Sequence, residues 1–284
     1  MRILVTGASG NVGRYVVEEL LKLGEQVAAA GTDIGKLEKL FNGAVDPVHL
    51  DFTDKHTFAE ALERVDRVFL MRPPHLGRPE DLYLFIDEMK ERNIKFVSFL
   101  SLMGVESNPI PPHHKIEKYL EASGIPFAHI RPGFFMQNVS GIHSVEIKEK
   151  SEIFIPAGHS KSSFIDAEDI GLAAAVLLHN SEAYENTAHT ITGAESLDYY
   201  QVADILSHVL NRKITYTKPG FLRYRRHLIK NRRLDKGFVN VTVALYFMTR
   251  MGTAKQITDD FFRLTGKSPR SFKDFAIANK DCFI

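Results

Sequence analysis

The chain carries a single cysteine, Cys282, so neither an internal disulfide nor a thiolate metal cluster can be built from it. Its twelve histidines are scattered. The one adjacent pair, His113-His114, points to opposite sides of most backbones, and no metal is expected. An excess of one charge is missing too. Thirty-six Lys and Arg stand against 35 Asp and Glu, a net charge of +1, which makes no global electrostatic case for nucleic acid or an anionic membrane. No stretch approaches the roughly 18–20 apolar residues that a membrane span needs. The first strand begins at once, leaving no room ahead of it for a targeting segment. The expected location is cytoplasmic, with no membrane partner. Internal repeats and low-complexity linkers are lacking as well.

What is present is an ordinary globular composition, 44% hydrophobic and 25% charged over 284 residues. That length suits a nucleotide-binding domain with a smaller appended lobe. The chain opens on a short apolar strand, Arg2 to Val5, which runs into Thr6-Gly7-Ala8-Ser9-Gly10-Asn11-Val12-Gly13. Arg14 to Leu23 follows with Val16, Val17, Leu20, Leu21 and Leu23 in helical rhythm, closed by Gly24. Strand, glycine turn and helix in this order form a phosphate-binding opening. A tight turn needs backbone angles that a Cβ resists, the middle glycine lets a diphosphate approach the main chain, and the last lets the helix pack closely. The free N–H groups and positive end of the helix then face the anion.

The pattern then repeats. Strands are read at Gln26 to Ala30, Val45 to Leu50, Arg67 to Met71, Lys95 to Ser101 and Phe127 to Ile130. Helices fall between them at Gly35 to Phe41, His56 to Glu63, Pro79 to Arg92 and His113 to Ala122. Such alternation predicts an α/β fold, a doubly wound parallel Rossmann sheet over residues 1–132, with its ligand crevice at the carboxyl ends of the strands. Residues 133–284 read as a smaller C-terminal α+β lobe, clamped on the first domain as a substrate lid. Its expected elements are a strand at Glu152 to Ile155, a strand at Ala188 to Thr192, a helix at Leu197 to Leu210, a strand at Lys213 to Thr217 and a helical end. The strongly apolar helix Ala167 to His179 is expected to pack back on the sheet.

Several blocks together resemble the NmrA-like family of atypical short-chain dehydrogenases. They are TGASGNVG at Thr6 to Gly13, Asp51-Phe52, FLMRPP at Phe69 to Pro74, FLS at Phe99 to Ser101, the run His113 to Asn138, SFIDAEDI at Ser163 to Ile170, and LTGKSPRSF at Leu264 to Phe272. That group contains NAD(P)H:quinone oxidoreductases, dye reductases and catalytically silent redox-sensing regulators. The resemblance implies that Gly7, Ser9, Gly10, Asn11, Val12 and Gly13 hold the cofactor diphosphate. Asp51 and Phe52 would flank the adenine, and Leu70 to Pro73, including Met71, Arg72 and Pro73, would lie by the nicotinamide ribose. It also implies that Phe134, Phe135, Met136 and Phe221 wall an acceptor pocket; as bare sequence they are simply core residues. For Asp51 a solvated strand end before a cap at Asp54 is an equal reading.

The end of the second strand should choose between NADP and NAD. An acid there binds the ribose 2′-hydroxyl, whereas an arginine binds a 2′-phosphate. Gly31 and Thr32 meet neither rule, and Asp33, ~20 residues after Gly13, either takes the ribose or only starts a turn. With Lys36 able to neutralise a phosphate and Gly31 leaving room, the cofactor expected is NADP rather than NAD.

Typical short-chain dehydrogenases use a tyrosine and a lysine four residues apart to protonate a carbonyl oxygen. In the corresponding region stand Pro109 and His113. Without the dyad, the expected reaction is NAD(P)H-dependent hydride transfer to a quinone-like or other conjugated small molecule. The alternative is a non-enzymatic redox sensor acting through a protein partner. His113 could orient or protonate the acceptor, since imidazole titrates near neutrality, or be a polar surface residue. Ser101, at a strand end, could point into the crevice or satisfy backbone. Arg131 should pair with a structural carboxylate, and Asp166 and Asp169 read as helix caps. The basic run Arg223, Arg225, Arg226, Lys230, Arg232 and Arg233 reads first as a solvated helix face, and only second as a surface for an acidic partner. The expected partner is therefore a small-molecule acceptor. Nucleic acid is disfavoured, and a protein partner or homodimer is left open.

Overall fold

In the computed structural model, which describes residues 2–284, β1 (Arg2–Thr6), β2 (Val27–Gly31), β3 (Asp46–His49), β4 (Val65–Met71), β5 (Phe96–Leu100) and β6 (Phe127–Pro132) are all parallel. A seventh strand, Thr187–Ile191, joins the same sheet, giving the order Thr187–Ile191, β6, β5, β4, β1, β2, β3. Strand order reverses between β1 and β4, so the carboxyl ends of these two strands flank the point where doubly wound sheets bind ligands. The central strands are mostly apolar because helices cover both faces: Ile3, Leu4, Val5, Ala28, Ala29, Val97 and Phe99 are fully buried.

The helices are α1 (Gly13–Lys22), α2 (Ile34–Phe41), α3 (Phe58–Ala61), α4 (Tyr83–Glu91) and α5 (Pro112–Ser123). Phe58, Phe85, Ile86, Met89, Ile116 and Leu120 of α3, α4 and α5 form one core layer against Leu4, Val68, Leu70 and Val97. Helix Ala167–His179 packs on α1 and on β4 to β6. Its crossing with α1 is so close that a Cβ on Gly171 would sit 2.8 Å from the Tyr15 carbonyl carbon, which is why a glycine stands there.

The chain divides into two compact units. The first holds residues 1–132, Ala167–Ile191 and Asp260–Lys267; the second holds Gly133–Asp166, Thr192–Asp259 and Ser268–Ile284. The strand expected at Ala188 to Thr192 in the appended lobe is instead the edge strand of the central sheet, with Thr187 in register with Ala128 of β6. It is half-exposed, as an edge strand can be, and nothing local in its pattern says which sheet it joins. The second unit is α+β. Strands Phe134–Phe135, Ser162–Ile165 and Ser196–Leu197 form one small sheet, and Glu152–Ile153 pairs with Thr215–Tyr216. Helix Tyr199–Leu210 begins two residues later than the periodicity suggests, because the Asp198 carboxylate caps it, accepting from the Tyr200 and Gln201 N–H groups at 2.9 Å. Among the described residues no helix is long and apolar enough to cross a membrane.

Candidate functional site

The turn between β1 and α1 is tied to its neighbours by main-chain and side-chain bonds. The Ala8 N–H donates to the Ala30 carbonyl at the end of β2 (3.1 Å), and the Leu50 N–H to the Gly31 carbonyl (3.0 Å). The Thr6 hydroxyl donates to the Phe69 carbonyl and accepts from the Met71 N–H, each at 3.0 Å, pinning the exit of β4 beside the turn. Thr6 opens the motif, yet its part as a rivet is visible only in the fold.

The three glycines have separate reasons to be glycine. Gly7 has φ +61°, and a Cβ there would run into the Met71 sulfur. At Gly13 a Cβ would collide with the Gly7 carbonyl and lie 2.9 Å from Ala8 Cα, so this glycine lets α1 close on the turn. Gly10 is different. Its one near neighbour is the Gly7 carbonyl oxygen at 3.1 Å, so the space a Cβ would take is a cradle open to a ligand. No side chain caps α1 and no acid stands in its first turn, leaving its N-terminal field unneutralised by its own residues. Ser9 is half-buried, Asn11 exposed and Val12 buried under the turn. This arrangement fits the diphosphate of a dinucleotide.

At the end of β2, Thr32, Asp33 and Lys36 are all exposed. Asp33 caps α2, its carboxylate accepting from the Lys36 N–H at 2.9 Å. Gly31 is not demanded by packing, since a Cβ there would make only ordinary contact with Leu37. Asp51 accepts from both the Thr53 N–H (2.8 Å) and hydroxyl (2.7 Å), and these bonds hold its carboxyl below the usual carboxylate range. Phe52 meets Phe85 edge to face, with ring centres 5.2 Å apart.

A second cluster sits where β4, β5 and β6 end. Met71, Arg72 and Pro73 are half-buried, and the Arg72 guanidinium donates to the Pro73 and Leu76 carbonyls. His113, in the first turn of α5, is pushed down to a pKa of about 4, first by burial and then by the Arg72 charge, with Glu117 pulling the other way. It is therefore neutral at pH 7. A neutral imidazole is not the charged acid that an ordinary imidazole value would allow. Its Nδ1 is buried and has no hydrogen-bond partner among the described residues.

Glu117, one turn further along α5, escaped the sequence reading. It is 1% exposed and bound by Arg131 through two hydrogen bonds of 3.0 and 2.7 Å. Burial alone would raise its pKa, but Arg131, with His129 and Ser101 nearby, holds it below the usual range. The available signal was a glutamate between Ile116 and Leu120 on the buried side of the helix. Glu117, Glu121 and His129 come within metal-ligand distance of one another, but Arg131 already engages both Glu117 oxygens. Ser101 lies just beyond β5, its N–H donating to the Ile130 carbonyl at 2.7 Å.

The proposed acceptor walls fall in the second unit, where Phe134 and Met136 belong to the core and Phe135 is half-exposed. Asp166 is held by Gln137 (2.6 Å) and by an ion pair with Arg270 (2.9 Å). No tyrosine anywhere in the sequence is followed four residues later by a lysine.

Comparison with known proteins gives the family. Prestalk A differentiation protein A of Dictyostelium discoideum is 31% identical over 280 residues, covering 97% of this chain and 91% of that protein. The NAD(P)H azoreductase of Xenophilus azovorans is 28% identical over 287 residues, covering 99% of each. The crystal structure of the Escherichia coli NADPH-dependent quinone oxidoreductase with NADPH superposes with a TM-score of 0.88 at 22% identity, covering 99% of this chain and all of that one, a likeness of fold. The family profile described as NmrA-like matches residues 1–234, and the chain belongs to the NmrA-like family.

Proposed function

We propose that the chain is an NADPH-dependent oxidoreductase that reduces quinone-like or other conjugated small molecules. The observation that carries this reading is the Gly10 cradle at the N-terminus of α1, in a protein without a Tyr/Lys dyad. The azo substrate class named for the Xenophilus relative is conjugated as well. Gly7 to Gly13 would hold the diphosphate, Asp51 and Phe52 the adenine side, and Met71 to Pro73 the nicotinamide side. Exposed Thr32 and Lys36 favour a 2′-phosphate, because Asp33, the acid that follows Thr32, is occupied as a helix cap. When bound, the cofactor supplies the hydride.

The protein's own part is orientation, which alone accounts for several kcal/mol of many enzymatic barriers. A neutral His113 can hydrogen-bond a polar atom of the bound molecules, relieving a buried nitrogen that otherwise stands alone. A reduced quinone oxygen is a far weaker base than an alkoxide, so solvent or a weak donor can finish the protonation. In this reading the first unit binds the dinucleotide, and Ser101, just beyond β5 in that unit, contributes to acceptor binding.

Steady-state NADPH oxidation with quinones, azo dyes and an unactivated ketone tests the reading. Quinones and azo dyes should turn over and the ketone should not. His113→Ala should lower quinone turnover by no more than ~10²-fold. Efficient reduction of the ketone by the wild type would refute the mechanism.

A further inference from the structure

The basic run singled out in the sequence lies on a helical hairpin of the second unit. Helix Phe221–Arg226 continues through a wider turn, His227–Asn231, and is followed by helix Lys236–Arg250. The two arms are joined by the Arg225 side chain, which donates to Asn240 Oδ1 at 2.8 Å, and by the Phe221 and Phe247 rings, 5.9 Å apart.

Helix Lys236–Arg250 is apolar on both sides. Between its terminal cations it carries no charged side chain. Its inner side buries Val239 and Tyr246 in the core of the second unit, with Thr242 and Thr249 beside them, the two threonine hydroxyls bonded back to the Phe238 and Leu245 carbonyls. Its outer side presents hydrocarbon as well: Phe238 is 46% exposed, Val241 68% and Phe247 53%, with Met251 (68%) beyond the end and Leu222 (86%) on the other arm. A surface helix normally shows charged and polar residues there instead. Residues 218–258 carry ten Lys and Arg against one acid, Asp235, in a chain whose net charge is only +1; one of the ten, Arg232, is paired with Glu146 at 2.8 Å, which leaves the others in excess. Asp235 itself caps the second helix, accepting from the Phe238 N–H at 2.8 Å.

We propose that this hairpin docks the protein on an anionic lipid surface, with Val241, Phe247 and Met251 in the interface and the arginines and lysines around them on lipid headgroups. Apolar side chains on one stripe with cations beside them are the composition of interfacial helices. At 15 residues the second helix is too short to span a bilayer and would lie in its plane. A second copy of the chain is the poorer occupant, because a two-fold contact would set this positive face against itself. Nucleic acid would use the cations but leave the hydrocarbon unexplained. The expectation of no membrane partner rested on the lack of a spanning segment and on a net charge of +1; the first does not bear on surface binding and the second averages over a chain whose cations are locally concentrated, and the proposal is independent of the acceptor's identity.

The test is co-sedimentation of the full chain with phosphatidylcholine vesicles, with and without phosphatidylserine. Binding should require phosphatidylserine and weaken as salt rises. Lys230→Gln with Arg233→Gln should lower partitioning by on the order of tenfold or more, at roughly fivefold per cation. Val241→Asp with Met251→Asp should abolish it, with the circular dichroism spectrum unchanged. Failure to bind the anionic vesicles, equal binding to both kinds, or undiminished binding of the aspartate variant would overturn the proposal. So would a dimer in light scattering that the aspartate variant splits, or tighter binding to duplex DNA than to vesicles.

Discussion

Gly10→Ala and Gly13→Ala should separate cofactor binding from folding within one eight-residue turn. At Gly10 the new methyl meets one protein atom, the Gly7 carbonyl oxygen at 3.1 Å, and φ is not in the left-handed region. The fold can give by a few tenths of an ångström, and the loss of unfolded-state freedom offsets part of this by about 0.4–1 kcal/mol. Stability should therefore stay within about 1 kcal/mol of wild type. The methyl fills the space into which a diphosphate would come, however. Two backbone hydrogen bonds to phosphate at about 1.5–3 kcal/mol each amount to a loss of roughly 10²–10⁴ in NADPH affinity. At Gly13 the methyl collides with backbone, the Gly7 carbonyl and Ala8 Cα, which cannot swing aside. Overpacking of this kind costs about 1–3 kcal/mol, or roughly 2–12 °C in melting temperature at about 2–4 °C per kcal/mol. Fluorescence titration with NADPH and thermal unfolding read the two effects. A Gly10→Ala protein that binds NADPH as wild type does would show that the turn is not the diphosphate site. One that melts as early as Gly13→Ala would show that the cradle is packed shut.

Thr32→Arg should raise the preference for NADPH over NADH by about tenfold, since a guanidinium pairs with a phosphate; an unchanged ratio of the two affinities would remove Thr32 from the 2′ position. With its pKa near 4, His113 keeps one charge state across pH 5–9, so quinone turnover should show no step near 6.5; such a step that vanishes in His113→Ala would contradict its burial. Between about 6.5 and 4 the unfolded chain binds a proton at this histidine that the folded chain refuses. His113 and the fully buried His143, pushed to about 3, therefore make stability fall as pH drops below 6.5, and a double alanine variant should flatten that fall in urea titrations. Glu117→Gln should cost roughly 1.5–3 kcal/mol, because half-buried Arg131 loses its bidentate partner and keeps only Glu106 at 3.5 Å. A urea midpoint close to wild type would mean that the pair contributes little.

The opening turn was legible because everything that defines it is local: a strand, three glycines at fixed spacing and a helix within 24 residues. The alternation that follows was equally legible, since buried parallel strands announce themselves by unbroken apolar runs such as Val27 to Ala30. Arg131 was foreseen as one half of an ion pair. Its partner was not, because Glu117 gains its role only when α5 lays it against β6. His113 was noticed, but its protonation state depends on burial and on Arg72 from another strand, and no spacing encodes either. Phe134 and Met136 were read both as core and as pocket wall; the packing around Phe164 and Tyr246 puts Phe134 in the core.

By itself, then, the sequence determined the doubly wound sheet, the glycine turn and the missing Tyr/Lys dyad, because each depends on residues close together in the chain. Tertiary structure decided the rest, where the deciding interactions join distant residues. It carried Thr187–Ile191 to the edge of the central sheet, some 55 residues after its partner β6. It gave each motif glycine its own neighbour, and it left Val241, Phe247 and Met251 exposed beside a basic run already visible in the sequence. Composition averages over the whole surface, whereas folding chooses which side chains share a patch of it.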